Sequence, residues 1–193
     1  MSYFVFLEFT DARIRTFLTN LRDALQQRPT RKPVHITVRG PYESPPDSKR
    51  LSELRQAVRG LGVRIFGVGA FSSQTEHIVY LRAESTMFRR IWWKSDFPIG
   101  SHGMHPHVTI YESNAKAAAT AVQKFLRAER IEVFTRDVEL TVYQTRQGDL
   151  FDWRLSGNTS RARGLDHLSV TKPGLLTRAR QLGERLTSDP PTD

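Results

Sequence analysis

The sequence predicts an α+β fold built from two lobes that repeat one another. Residues 35–38 read His-Ile-Thr-Val, and residues 107–110 read His-Val-Thr-Ile, 72 positions later. Apolar spacing around each copy predicts the same order of elements: strand, helix, motif strand, helix and strand. The first strands of the two halves, near Tyr3 and His77, are 74 positions apart. Because the flanking elements keep the spacing of the motifs, we infer a duplication about a pseudo-twofold axis.

The first half begins with a run of β-favouring side chains over 3–9, which predicts a strand. Residues 11–27 place apolar side chains at helical spacing, and Asp11 or Thr10 is a suitable N-cap. The remaining elements predicted for this half are the motif strand over 34–39, a helix over 49–59 capped by Asp47 or Ser48, and a strand over 63–71.

The second half repeats this order. Its predicted elements are a strand over 77–82, a helix over 84–94, the second motif strand after the loop 97–104, a helix from Ser113 or Asn114 to about residue 130, and strands at about 131–145 and 150–155. The glycine-containing turn at 147–149 predicts a hairpin between the last two of these segments.

These elements define the expected domain organisation. We predict a two-lobed domain over 1–157, with lobes of about 1–75 and 76–157 between which strands can be exchanged. Residues 158–193 form a basic C-terminal extension, which we expect to be an appendage with a short helix over 174–186 and a disordered end.

Composition favours a polyanionic partner and excludes some classes of site. The chain of 193 residues has 29 Lys and Arg against 20 Asp and Glu, a net charge of +9, which favours nucleic acid or nucleotides, although a generically basic surface is the alternative. It has no cysteine, so disulfides and thiolate metal ligands are excluded. The apolar run 3–9 is too short to span a membrane and lacks the basic residues of a signal peptide. We expect a cytoplasmic monomer without a membrane partner.

The repeated motif suits acid–base chemistry on a phosphodiester. Strand alternation places His35 and Thr37 on one face, and His107 and Thr109 on the equivalent face, with apolar residues behind them. Two imidazoles on opposite sides of one phosphorus can act as base and acid without a metal, while the hydroxyls stabilise the non-bridging oxygens. One such motif is more often a half-buried strand histidine bonded to a neighbour, but two copies in repeated surroundings favour catalysis.

The paired motifs resemble the two signatures of the two-histidine phosphoesterase superfamily, and within it the LigT-like group, also called 2′-5′ RNA ligase or RNA 2′,3′-cyclic phosphodiesterase. The resemblance covers about residues 3–155 in element order and is specific at the motifs. It implies a bilobal fold with antiparallel sheets lining a central cleft and helices on the outside. It also implies catalytic roles for His35 and His107, phosphate binding by Thr37 and Thr109, and no cofactor.

The implied reaction is metal-independent opening of 2′,3′-cyclic phosphates of RNA ends or nucleotides to 2′-phosphates. The resemblance assigns His35 as the acid and His107 as the base that activates water, and the pseudo-symmetry leaves the opposite assignment open. Two alternatives remain: a 2′-5′ RNA ligase that uses the reverse reaction, and a non-catalytic module that binds RNA or nucleotides.

Other residues are candidates for binding substrate. Arg39 and Tyr111 each lie two positions beyond the threonine of a motif, so alternation places them on the same face, for phosphate contact and base stacking respectively. Tyr42 and Phe71 are weaker candidates for base stacking, and a structural role is favoured for both. The histidines at 102, 105 and 107 lack a carboxylate at ligand spacing, so we predict no metal site.

Overall fold

A computed structural model describes residues 2–27, 33–60, 62–92, 105–146, 149–156, 167–169 and 173–188. The chain alternates strands and helices in the order predicted for a duplicated α+β fold. The elements are β1 (Ser2–Phe9), α1 (Ala12–Gln26), β2 (His35–Tyr42), α2 (Ser48–Val58), β3 (Val63–Ser72), β4 (His77–Glu84), α3 (Thr86–Trp92), β5 (His107–Ser113), α4 (Lys116–Glu129), β6 (Glu132–Thr135), β7 (Val138–Arg146), β8 (Asp149–Ser156), β9 (His167–Ser169) and α5 (Leu175–Ser188).

The described strands form two antiparallel sheets, with strand orders β2-β1-β7-β8 and β5-β4-β3-β6-β9. Each sheet takes strands from both halves of the sequence, because β3 pairs with β4 and β7 pairs with β1. The motif strands β2 and β5 are the edge strands of the two sheets, and they contact one another where the sheets meet. This confirms the bilobal α+β architecture and brings the repeated motifs to the junction of the lobes.

Alternation in the strands explains which face of each sheet is covered. Val5 and Leu7 in β1 and Ile36 and Val38 in β2 are buried in one hydrophobic core that continues into the second sheet. Helices α1, α2 and α4 add their apolar faces to this core. The predicted caps of the first two helices are confirmed: Asp11 accepts from Ile14 N, and Asp47 accepts from Arg50 N, each at 2.8 Å.

Two parts of the second half differ in detail from the pattern read in the sequence. The β segment predicted at about 131–145 consists of β6 and β7, which join different sheets. The chain turns at Arg136 and Asp137, where Thr135 Oγ1 accepts a hydrogen bond from the Asp137 amide at 2.9 Å. Helix α4 starts one residue after Ala115, and Ser113 Oγ accepts from the Ala115 amide at 3.0 Å instead of capping the helix directly.

Helix α5 is part of the core and is not an appendage. Leu175 and Ala179 are buried, and the helix packs against α1. A Cβ at Gly183 would lie 2.4 Å from the Ala24 carbonyl oxygen, so glycine permits the close approach of the two helices. The sequence alone gave no long-range partner for this amphipathic helix. No helix in the described ranges is long and apolar enough to cross a membrane.

Candidate active site

The main chain holds both motif histidines in the same way. His35 Nδ1 lies 2.8 Å from the carbonyl oxygen of Pro33, and His107 Nδ1 lies 2.6 Å from the carbonyl oxygen of His105. Because a carbonyl oxygen can only accept, each Nδ1 carries the proton that it donates. Nε2 is therefore the nitrogen that gains or loses a proton on each imidazole. In both motifs, the main-chain carbonyl of the residue two positions earlier therefore holds the histidine in the same tautomer.

An aromatic ring on the neighbouring strand lies against each histidine. Phe6 of β1 stacks on His35, with ring centroids 3.9 Å apart, and Tyr80 of β4 lies 4.7 Å from His107. The two rings are 74 positions apart in sequence, which is the separation of β1 and β4. Phe71, a stacking candidate from the sequence, stacks on Tyr80 and meets His107 edge-on, with centroids 4.5 and 5.2 Å away. One aromatic ring therefore lies against His35, and two lie against His107.

Glycine at position 69 makes room for one of these rings. A Cβ at Gly69 would lie 2.3 Å from the Tyr80 ring, and Gly69 is the direct strand partner of Tyr80. The ring therefore lies flat over the glycine and is held between it and Phe71. This close approach of the Tyr80 ring explains why glycine stands at position 69 inside the strand.

The predicted positions of Arg39 and Tyr111 are wrong, and a β-bulge explains both errors. In β1–β2 the register changes between Phe6 and Val5, and in β4–β5 it changes at the equivalent point, between Tyr80 and Val79. The extra residue turns the next side chain to the opposite face of the sheet. Arg39 is 1% exposed and Tyr111 is 7% exposed, and neither faces the cleft.

The buried arginine has a partner within the protein. Arg39 Nη2 donates to the carbonyl oxygen of Ile91, in the last turn of α3. A cation at a helix C-terminus is favoured by the helix dipole and by the unpaired carbonyl groups there. Tyr42, for which a structural role is the alternative to base stacking, is half-buried, pairs with Tyr3, and packs against the core.

The neighbouring strands place charges of opposite sign beside the two histidines. Glu8 in β1 is the direct partner of His35, and Arg82 in β4 is the direct partner of His107. Side chains paired in this way have Cβ atoms about 4.5–5.5 Å apart. Glu8 is buried and accepts a 2.5 Å hydrogen bond from Tyr143 Oη, whereas Arg82 is exposed. These charges distinguish two sites that are otherwise closely matched.

Burial also changes the acidity of His107. Desolvation lowers the pKa of His107 below its ordinary value of 6.5, and the positive form of His105 lowers it further. The hydrogen bond to the His105 carbonyl acts in the opposite direction and is outweighed. His107 is therefore neutral over a wider pH range than an ordinary histidine.

The threonines lie on the same faces as the histidines. Thr37 is exposed and pairs with Phe6, and Thr109 is half-buried and pairs with Tyr80. Of the histidines weighed as metal ligands, His102 lies outside the described residues. Within the described ranges no three His, Cys, Asp or Glu side chains converge on a possible metal position.

Sequence reasoning missed the side chains that β1 and β4 contribute. They are Phe6, Glu8, Tyr80 and Arg82. A signal was available, because the 74-residue offset of the first strands relates Phe6 to Tyr80 and Glu8 to Arg82. Their importance depends on the register with β2 and β5, which the pattern of a single strand does not contain.

Comparison with known proteins agrees with this arrangement. A search of curated proteins found no match. A family model, described as the 2′-5′ RNA ligase superfamily, matches residues 10–149, which is most of the chain and includes both motifs. Two antiparallel sheets that meet at two histidine-bearing edge strands, together with this match, show that the chain belongs to the 2′-5′ RNA ligase superfamily.

Proposed function

We propose that this protein opens 2′,3′-cyclic phosphates at RNA ends or on nucleotides and leaves a 2′-phosphate. The observation that carries the proposal is the matched pair of histidines, in which each Nδ1 donates to a main-chain carbonyl, so that Nε2 is the nitrogen whose protonation changes. Two such groups supply a base and an acid for a phosphodiester without requiring a metal ion.

In the proposed reaction, one neutral imidazole removes a proton from water as the water oxygen bonds to phosphorus. The bond between phosphorus and O3′ breaks, and the other histidine, in its imidazolium form, donates its proton to O3′. The products are a 2′-phosphate and a 3′-hydroxyl group. Thr37 and Thr109 are suited to donate hydrogen bonds to the non-bridging oxygens, on which charge develops. Proton exchange with solvent restores the two histidines.

The charges beside the histidines support one assignment of the two roles. An opposite charge favours the protonated form of an imidazole, and a like charge or burial favours the neutral form. A carboxylate at Glu8, the direct strand partner of His35, therefore favours His35 as the acid. Burial lowers the pKa of His107 and favours it as the base. The positive charge of Arg82, its direct strand partner, acts in the same direction by the like-charge rule.

Mutagenesis with pH-dependent kinetics tests both the reaction and the roles. With EDTA present and a 2′,3′-cyclic nucleotide as substrate, His35→Ala and His107→Ala should each lose about 10²–10⁴-fold in kcat/KM. The profile of kcat/KM against pH should be bell-shaped. Glu8→Gln should move the basic limb of this profile to lower pH, because the acid then loses its proton more easily. Arg82→Gln should move the acidic limb to higher pH, because the base holds its proton more tightly.

A neighbouring histidine provides the control. His105→Ala keeps the main-chain carbonyl that holds His107, so it should retain most turnover. Turnover that survives in both His35→Ala and His107→Ala would exclude the proposed mechanism. Shifts of the two limbs in the opposite directions would reverse the acid and base roles.

The family description supports ligation as a second candidate function. The same two groups can act when an RNA 5′-hydroxyl replaces water: the base takes the hydroxyl proton, the new 2′–5′ bond forms, and O3′ leaves with the proton from the acid. Incubating an RNA that ends in a cyclic phosphate with an RNA bearing a 5′-hydroxyl distinguishes the two. Accumulation of a 2′–5′-linked product in excess of the 2′-phosphate would favour the ligase.

A further inference from the structure

The face of the second sheet that carries His107 continues into a series of arginines and aromatic rings. Arg82 pairs directly with His107, and Phe66 of β3 pairs directly with Arg82. Because neighbouring strands lie about 4.7–4.9 Å apart, Phe66 stands about 10 Å from the histidine strand. The same face continues to β6, whose Phe134 pairs with Arg64. We call this surface the arginine–aromatic strip and define it by Arg82, Phe66, Arg64, Phe134 and Arg136.

Cations and rings in the strip are placed against one another. The Arg64 guanidinium carbon lies 4.4 Å from the centroid of the Phe66 ring, and that of Arg136 lies 5.9 Å from the Phe134 ring. The arginines are exposed, and the two rings are half-buried. A Cβ at Gly62 would lie 2.4 Å from the Phe134 ring, so this ring rests against backbone, as Tyr80 does at Gly69. The strip is therefore an accessible surface of flat rings and positive charges.

We propose that the arginine–aromatic strip binds the RNA strand that leads to the cyclic phosphate, so that the preferred substrate is an oligoribonucleotide end and not a cyclic mononucleotide. The inference rests on the proposed function, since it extends the substrate away from His107. Single-stranded RNA is bound by surfaces that combine arginines for phosphates with aromatic rings for bases. The net charge of +9 favours the same partner.

Acidic side chains in the strip restrict where the phosphates can lie. Arg64 Nε is 2.9 Å from Glu132 Oε1, and the two side chains are 50% and 44% exposed. Such an exposed ion pair is weak, so an RNA phosphate can replace the carboxylate as the partner of Arg64. Glu84, the β4 partner of Arg64, adds a second negative charge. Neutralising Glu132 should therefore strengthen RNA binding, whereas neutralising the arginines should weaken it.

The test compares two substrates with the same reacting end. One is a 2′,3′-cyclic mononucleotide, and the other is a pentaribonucleotide ending in that nucleotide. The wild-type protein should turn over the pentamer with the higher kcat/KM. Phe66→Ala and Phe66→Leu should each reduce kcat/KM for the pentamer by about five- to tenfold, because a base loses the ring on which it stacks. Arg64→Ala should reduce it by a similar factor, because a phosphate loses its cationic partner. The mononucleotide should be converted at the wild-type rate.

Three variants make the comparison specific. Arg15→Ala removes an exposed arginine from α1, outside the strip, and should leave both substrates unaffected. Phe66→Leu keeps an apolar side chain of similar size without a flat ring. A lower kcat/KM of this variant for the pentamer therefore cannot be attributed to a cavity. Glu132→Gln should increase affinity for the pentamer, and unchanged or weaker affinity would contradict the expected path of the phosphates.

Direct binding separates failure of the strip from failure of the proposed function. Fluorescence anisotropy with a labelled single-stranded pentamer ending in a 2′-phosphate needs no turnover. If neither substrate is converted but Phe66→Leu and Arg64→Ala weaken this binding at least fivefold, the proposed reaction is wrong and the RNA surface stands. If the pentamer is converted no better than the mononucleotide, or if the variants bind the pentamer as the wild type does, the strip is not an RNA surface. Binding of duplex RNA with equal affinity would also overturn it.

Discussion

At the scale of single residues, the environment of His107 decides when it can act as a base. Its imidazole is enclosed by Tyr80 and Phe71, and its Nδ1 is held by a carbonyl group. Burial disfavours the charged form, and the pKa of His107 is lowered as a result. A base must be neutral in the reacting enzyme, so a lowered pKa extends activity toward acid. The acidic limb of kcat/KM should therefore lie below pH 6.5, the ordinary value for histidine.

Removing Phe71 tests this explanation. Phe71→Ala admits water to the edge of the His107 ring, which should raise the pKa of His107 toward its ordinary value and move the acidic limb to higher pH. The pKa can be followed independently by NMR of the histidine ring protons. Phe17→Ala, at a half-buried phenylalanine of α1, is the matched control and should leave both measurements unchanged. An unchanged limb in Phe71→Ala would show that burial by this ring does not set the acidity of His107.

Local alternation predicts some of these residues and not others. The four motif positions follow from the period of a strand, because i and i+2 share a face in any regular strand. Glu8 and Arg82 acquire their significance only from pairing with β2 and β5, whose register depends on chain far away in sequence. The two motifs alone do not distinguish His35 from His107. The opposite charges of Glu8 and Arg82, at equivalent positions beside them, do.

At the scale of elements, the bulge after each motif is a matched feature of β2 and β5. It lies at the same point in both strands, immediately after the threonine, and sends Arg39 and Tyr111 into the interior. Simple alternation fails at these positions because a bulge adds one residue to one strand of a pair. The side chains of each motif strand therefore face the cleft only up to the threonine. Beyond the bulge, the side chains of Arg39 and Tyr111 are buried in the interior.

The buried arginine is expected to act on stability. Arg39→Met keeps most of the volume but leaves the Ile91 carbonyl without this donor, so unfolding in urea should show a loss of about 1–3 kcal/mol. Arg15→Ala, at an exposed arginine, should change stability by no more than about 0.5 kcal/mol. If Arg39→Met instead raises KM and leaves stability intact, the side chain contacts substrate, as alternation alone would predict.

At the scale of the whole molecule, the order of elements along the chain was predictable, and their distribution between the sheets was not. Apolar spacing and capping residues specify β1 to α4 locally. The allocation of β3 to the second sheet and of β7 to the first depends on which faces bury one another across the junction. The two halves are therefore interlocked, and the contact of β2 with β5 depends on the packing of both sheets.

Helix α5 connects the two halves from outside the sheets. It packs against α1 of the first half and contacts α4 of the second. Arg178 provides the polar part of this contact: its Nη2 and Nε lie 2.7 and 3.3 Å from the two carboxylate oxygens of Glu129. The Glu129 side chain is only 4% exposed, whereas that of Arg178 is 37% exposed. The helix lies beyond residues 10–149, the region matched by the family model.

This contact predicts a strong dependence of stability on a residue far from the cleft. Arg178→Met would leave the Glu129 carboxylate buried without its charged partner, at a cost of about 2–4 kcal/mol, toward the lower end for a buried pair because Arg178 is partly solvated. Adding Glu129→Leu to Arg178→Met should restore most of the lost stability, because the buried charge without a partner is then removed. Arg185→Ala, on the exposed surface of α5, is the control and should be nearly neutral. Urea unfolding of the full chain measures all three, and a neutral Arg178→Met would mean that α5 does not stabilise the junction through this pair.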